Sequence, residues 1–318
     1  METALKHSEI AMDVWKGLSS GPKYLLPKYF YDDIGSRIFQ EIMNMPEYYL
    51  TDCEDEILRT NKNEICHAFM NSNEQFDLIE LGSGDGAKTK IILKHLVEIN
   101  AKFTYLPIDI CAQANDDLVD TLEWEIPDLN VKAYTGDYFQ VLEDMNRFNR
   151  KVILLLGSNI GNFSEEESNA FLTQLANLTE SGDLVLIGFD LKKSPQIILQ
   201  AYDDPHGYTR RFNLNLLHRL NRELSADFNL DVFLHHATYN PVSGDAESYL
   251  VSTINQIVYV NALDETFRFR QWEPIFMERS HKYDMDEIQR LAAFNGFEIR
   301  QNFFDRRNYF TDSLWIRK

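Results

Sequence analysis

Cysteine is scarce in this chain: three in 318 residues, Cys53, Cys66 and Cys111, with no CxxC spacing. That count excludes a disulfide framework and a thiolate zinc site, and points to idle thiols in a reducing compartment. Positive charge is scarce as well. Against 50 Asp and Glu stand 31 Lys and Arg, a net charge of −19 with His neutral. Nucleic-acid backbones and anionic membrane surfaces are held by clustered Lys and Arg, so neither is expected as a partner. No apolar run approaches the roughly 18 residues that span a bilayer. The first ten residues, METALKHSEI, lack the apolar core of a signal peptide, so a cytoplasmic location is expected. HExxH, GxSxG and GxxxxGK[ST] are all missing. His206, His235, His236 and His281 show no metal-ligand spacing, and no metal site is expected.

What is present is ordinary globular material, 44% hydrophobic and 25% charged. The length suggests two domains, or one large domain with an elaboration. Residues 1 to about 55 are aromatic-rich and irregular, with short helices expected over 36–43 and from 51 or 52 towards 68. From about 76 to 195, strand and helix alternate. Strands are expected over 76–81, 103–110, 130–134, 151–156 and 184–189, with helices over 88–99, 114–125 and 165–178. This βαβαβ order predicts an α/β fold with a doubly wound parallel sheet and right-handed crossovers. Residues 196–282 break the rhythm with one helix, 209–224, and longer strands and hairpins over 247–261 and 266–283. A helix over 284–295 and strands over 297–305 and 311–318 restore it. The predicted organisation is a sheet domain of residues 56–195 plus 283–318. Residues 1–55 plus 196–282 then form an inserted α+β domain.

Three features mark the sheet domain's ligand. Glu80-Leu-Gly-Ser-Gly-Asp-Gly86 joins the first strand to its helix. Gly82 and Gly84 allow a tight turn and a close backbone approach to a ligand. Asp109 ends the second strand, where a carboxylate can accept ribose hydroxyls. Asp137 and Tyr138 follow the third strand, where an acid can accept an adenine amino group beside an aromatic ring. Together they favour S-adenosylmethionine over NAD, although a bare turn and two helix-capping acids would show the same residues. The fourth strand ends in Leu156-Gly-Ser-Asn-Ile-Gly-Asn162, and Asn162 offers both an acceptor and a donor at that sheet edge.

These pieces, with Pro27-Lys-Tyr-Phe-Tyr-Asp-Asp-Ile-Gly-Ser36, Pro46-Glu-Tyr-Tyr49, Ala201-Tyr-Asp-Asp204 and Asn221-Arg-Glu-Leu-Ser-Ala-Asp-Phe228, resemble the ergothioneine-pathway histidine Nα-methyltransferases over nearly the whole chain. The resemblance implies a class I, Rossmann-like methyltransferase sheet with an inserted substrate-binding domain, and S-adenosylmethionine as methyl donor. It implies that Gly82, Lys88, Asp109, Asp137 and Tyr138 contact the donor. Tyr31, Phe39 and Tyr48 would line the substrate pocket, Asn162 and Tyr202 would hold the amino acid's amino and carboxylate groups, and Glu278 and Ser280 would read the imidazole. Tyr31 and Asn162 are the candidate catalytic residues, although no dedicated base is assigned. A small amino-acid substrate, a monomer and a trimethylated product, hercynine, are expected.

One position departs from the family. Ser248 aligns where relatives carry a bulky apolar side chain, which predicts a larger or more polar ring pocket unless Tyr249 fills the space. Another amino acid or small amine therefore stays open as the substrate.

Overall fold

The structure is a computed structural model that describes residues 8–70, 74–145 and 149–318. Residues 1–7, part of the segment read above as lacking a signal peptide, lie outside the described residues. In chain order the strands are β1 (Lys23–Tyr24), β2 (Phe76–Leu81), β3 (Phe103–Asp109), β4 (Tyr134–Thr135), β5 (Arg150–Leu155), β6 (Leu184–Asp190), β7 (Phe233–Tyr239), β8 (Asp245–Ser252), β9 (Gln256–Val260), β10 (Glu265–Phe269), β11 (Pro274–His281), β12 (Phe297–Phe304) and β13 (Phe310–Arg317). The α-helices are α1 (Glu9–Ser19), α2 (Asp33–Met43), α3 (Tyr49–Phe69), α4 (Thr89–Glu98), α5 (Ala112–Glu125), α6 (Tyr138–Asp144), α7 (Glu165–Asn177), α8 (Pro195–Tyr202), α9 (Tyr208–Leu224) and α10 (Met285–Phe294). They divide between two compact units, Leu50–Lys192 with Lys282–Lys318, and Met1–Tyr49 with Lys193–His281.

The first unit is built on a seven-stranded sheet of order β12-β13-β6-β5-β2-β3-β4. Apolar runs explain its centre: β6 is buried along its whole length and β5 along all but Arg150, as strands covered on both faces are. Strands β2 to β6 are parallel, and β13 runs antiparallel between β6 and β12. The order of connection reverses between β2 and β5, so the loops after these two strands flank a topological switch point. Two helices carry reciprocal caps, Ser164 with Glu167 on α7 and Asp284 with Glu287 on α10, each worth about 1 kcal/mol. The third strand is shorter than the expected 130–134. Tyr105 bonds Asn130 and Lys132 through its backbone N–H and C=O (2.8 and 2.9 Å), giving a single bridge at Val131. The edge then leaves the ladder and rejoins it as β4.

The second unit pairs helices with an antiparallel sheet of order β1-β11-β8-β7, in which only β1 runs parallel to its neighbour. Strand β8 alternates strictly between half-buried and buried residues, the mark of a sheet with one covered face. The covered face carries Ala246, Ser248 and Leu250, flanked by His235 and Ala237 on β7 and by Glu278 and Ser280 on β11. Phe212, Leu216, Leu217, Leu220 and Leu224 of α9 are all buried in the core of this unit. Each contributes roughly 1.5–3 kcal/mol by leaving water, as an upper bound. Helix α1 lies where an irregular segment was expected. Ser8 caps it by accepting from the Ala11 N–H (3.4 Å), and Ala11, Val14 and Leu18 form its buried stripe.

Candidate active site

The glycine turn after β2 takes all three glycines into the left-handed region, Gly82 at φ +77°, Gly84 at +53° and Gly86 at +64°. A Cβ on Gly82 would stand 2.8 Å from the Tyr138 hydroxyl, so the residue must be glycine for that ring to lie against the turn. Above Gly84 there is nothing within 4 Å of the Cβ position, so the turn presents bare backbone to open space. Beneath it, Glu80 is buried and accepts hydrogen bonds from Thr89 Oγ1 (2.5 Å) and from the Tyr105 hydroxyl. Burial pushes its carboxyl up to about 7. Glu80 thus locks the end of β2 to the start of α4 and to β3.

Asp109 closes β3 and accepts the Cys111 N–H at Oδ1 (2.9 Å). Asp137 caps α6, accepting from Phe139 and Gln140 N–H at Oδ1 (3.0 and 3.2 Å). Both acids therefore do the local work that their type predicts in a turn, and among the described residues this work uses Oδ1. Tyr138 belongs with them: burial, then Asp109 and Asp137, push its phenol up to about 12, so it is a neutral donor. Asn162 lies exposed in the short 3₁₀ turn Asn159–Asn162 that follows β5. Its neighbour Asn159 stands near Gly82, with Nδ2 3.9 Å from the Cβ position.

Lys88 opens α4 with its ammonium paired to Glu54 of α3. Glu54 is fully buried, whereas Lys88 keeps 23% of its side-chain surface. The other oxygen of Glu54 accepts the Gly157 N–H at 2.7 Å.

In the second unit, the aromatic residues picked out in the sequence come together. Tyr31 meets Phe39 edge to face with centroids 5.4 Å apart, and Phe39 meets Tyr48 at 6.2 Å. Phe212 of α9 is at their centre, 5.6 Å from Tyr31 and 5.7 Å from Phe39, and it packs on Phe30 at 4.7 Å. Tyr31 is half exposed. Protein crowded around its hydroxyl, followed by the Glu278 carboxylate and Tyr202, raises its pKa well above that of a free phenol. Tyr31 is therefore un-ionised at neutral pH.

Tyr202, at the end of α8, donates its hydroxyl to Ser280 Oγ at 2.8 Å. His235 Nε2 lies 2.9 Å from the Tyr202 carbonyl, which requires the proton on that nitrogen. Burial lowers the His235 pKa, so the ring is neutral and anchors the end of α8. Across the sheet from Glu278 stands Ser248, fully buried, its hydroxyl without a hydrogen-bond partner among the described residues. Tyr249 does not fill the space beside it. Tyr249 pairs with Phe276 on the other face of the sheet and donates to Glu247 (2.7 Å).

Sequence reasoning missed Phe212 and Glu54. Phe212 lies among the charges of Tyr208–Leu224, and its signal is the apolar spacing 212, 216, 220, 224. Glu54 is one of four acids in 52–56, and nothing in that run distinguishes the buried one. Among the described residues, no group of three or more His, Cys, Asp or Glu could hold a metal. No helix among them is long and apolar enough to cross a membrane.

A doubly wound sheet of this order, with a glycine turn open above Gly84 and acids closing the second strand and following the third, is that of an S-adenosylmethionine-dependent methyltransferase. The chain belongs to the SAM-dependent histidine-specific methyltransferase family, whose model matches residues 10–317. It is similar to the histidine N-alpha-methyltransferase of Mycobacterium tuberculosis, with 38% identity over 92% of this chain and 91% of that protein. The enzyme of the same name from Mycolicibacterium smegmatis is 36% identical over 96% of this chain and 94% of its own length. Ergothioneine biosynthesis protein 1 of Schizosaccharomyces pombe is 26% identical over 85% of this chain, which matches 36% of that longer protein. The protein is therefore an S-adenosylmethionine-dependent N-methyltransferase.

Proposed function

We propose that this enzyme methylates the α-amino group of L-histidine, to the trimethylated betaine hercynine, as a step of ergothioneine biosynthesis. The observation that carries this reading is the second unit's polar face. Glu278 and Ser280 lie on one strand, Ser280 is bonded to Tyr202, and an aromatic cluster contains Tyr31, whose hydroxyl feels the Glu278 carboxylate. A carboxylate and a hydroxyl on one face of a strand can read an imidazole, since Glu278 can accept the ring N–H. The histidine named for the mycobacterial relatives supports the same substrate.

The unit containing Leu50–Lys192 is assigned the methyl donor and the other the amino acid. Gly82 and Gly84 would hold the donor by bare backbone, and Asp109 and Asp137 would accept its hydroxyls and amino group at their Oδ2 atoms. Tyr138 would lie beside its ring and Lys88 would pair with its carboxylate. Bound there, S-adenosylmethionine supplies a methyl group already activated on a sulfonium. The residues of this chain have positioning left to do, which is worth several powers of ten in rate when reacting atoms are held in line. Tyr202 would hold a polar end of the amino acid in the second unit.

The amine must be neutral to react. An α-amino group titrates at about 7.7–8.0 in a peptide, and somewhat higher in a free amino acid, so solvent can take the proton near neutral pH. Tyr31 is un-ionised and acts as a hydrogen-bonding group rather than as the base. The rings of Tyr31, Phe39 and Tyr48 stabilise an ammonium whose methylation makes it poorer at hydrogen bonding. That supports successive methyl additions.

A second reading rests on Ser248. Its small, unpartnered, buried hydroxyl opposite Glu278 suits a larger or more polar side chain than imidazole, so another amino acid or small amine is the alternative substrate. Titration calorimetry with a panel of amino acids, in the presence of S-adenosylhomocysteine, separates the two. Heat with histidine alone supports the first reading, and heat only with another amino acid supports the second.

A further inference from the structure

Glu54 has no place in the assignments above, yet it is a fully buried acid beside the switch point. Its Oε2 takes the Lys88 ammonium and its Oε1 takes the Gly157 N–H at 2.7 Å. One carboxylate therefore ties the residue that follows the glycine turn after β2 to the loop that follows β5. Room for it is built into the sheet: a Cβ on Gly188 would stand 2.4 Å from Glu54 Oε1. Gly188 pairs with Asp312 on β13, which is itself fully buried. Two carboxylates and one ammonium thus share an enclosed space. Burial, and the Glu54 charge beside it, raise the Asp312 pKa well above the ordinary carboxyl range.

We propose that Glu54 is a positioning residue for the methyl donor: it fixes the Lys88 ammonium so that its solvent-facing side meets the carboxylate of the donor's amino-acid portion. A lysine side chain otherwise samples many rotamers, and holding it in place before the ligand arrives removes that entropy from binding. The geometry that supports this is asymmetric. The acid is wholly enclosed and cannot itself reach a ligand, while the lysine retains exposed surface. The proposal rests on the reading of Lys88 as a donor-binding residue.

The test measures binding to the full-length enzyme by calorimetry, with S-adenosylhomocysteine and with its decarboxylated analogue. Lys88→Gln should weaken S-adenosylhomocysteine about thirtyfold, the size of one charge-assisted hydrogen bond, and leave the decarboxylated analogue within about twofold. Glu54→Gln should weaken S-adenosylhomocysteine about tenfold in the wild-type background and under about twofold in the Lys88→Gln background, because the two act as one unit. Glu54→Asp keeps the charge but shortens its reach, and should give a smaller loss with the same selectivity; it carries the test if the Gln variant does not fold. Equal weakening of both ligands by the Glu54 variants, or the same loss in both backgrounds, would overturn the proposal and leave Glu54 a support of the fold. If Lys88→Gln leaves S-adenosylhomocysteine binding unchanged, the reading of Lys88 fails first, and the proposal falls with it.

Discussion

Replacing Glu80 with Gln should change how stability depends on pH, by an amount set by the structure. Glu80 is buried under the glycine turn, where it accepts from the hydroxyls of Thr89 and Tyr105. Burial and the Glu54 charge push its carboxyl from 4.5 to about 7, while the two hydroxyls pull it back. Between those values the folded chain retains a proton that the unfolded chain has released. Stability from this group is therefore greatest below about pH 4.5 and is lost as pH rises through 7. At about 1.4 kcal/mol per tenfold change in proton affinity, a carboxyl moved from 4.5 to about 7 accounts for on the order of 3 kcal/mol. Gln keeps the acceptor oxygen and the shape but never ionises. Urea unfolding of both proteins from pH 4.5 to pH 8 isolates the effect, since Asp312 and every other titrating group is common to both. The stability of Glu80→Gln relative to wild type should rise by most of that amount across the range. A difference that stays flat with pH would refute the account of Glu80 as a buried, shifted acid.

Two further outcomes follow from the geometry. Gly84→Ala places a Cβ in a left-handed conformation, which costs about 1–2 kcal/mol, and directs it into the open space above the turn. Its melting temperature should fall by a few degrees, and S-adenosylhomocysteine should no longer raise it. Phe212→Leu keeps the core apolar but removes the ring at the centre of the aromatic cluster. It should cost about 1–2 kcal/mol in denaturant unfolding and raise KM for the amino acid more than KM for the methyl donor.

Much of this was legible in the sequence where one period dominates. The runs Lys151-Val-Ile-Leu-Leu-Leu156 and Leu184-Val-Leu-Ile-Gly-Phe189 can hardly be other than covered strands, and they set the sheet and its switch point. Strand β7 was not legible. Its sequence, Phe-Leu-His-His-Ala-Thr-Tyr, puts His235 at a buried position, where it is satisfied by the Tyr202 carbonyl from a helix that the pattern also concealed. Among the site residues, the glycines announce themselves by type, and Tyr31, Phe39 and Tyr48, which the family resemblance singles out, do meet in space. Glu278, Ser280 and Tyr202 could be picked out only through the family resemblance, because a polar residue on a strand looks the same whether it faces solvent or a ligand. Glu54 shows the limit of such reading: burial alone separates it from Asp52, Asp55 and Glu56, and burial is a tertiary property.

The central claim is that histidine's α-amino group accepts methyl groups on this enzyme. Mass spectrometry of histidine after incubation with the enzyme and S-adenosylmethionine tests it most directly. The account predicts successive additions of one, two and three methyl groups, all on the α-nitrogen by fragmentation. Unmodified histidine, beside methylation of another amino acid under the same conditions, would contradict it.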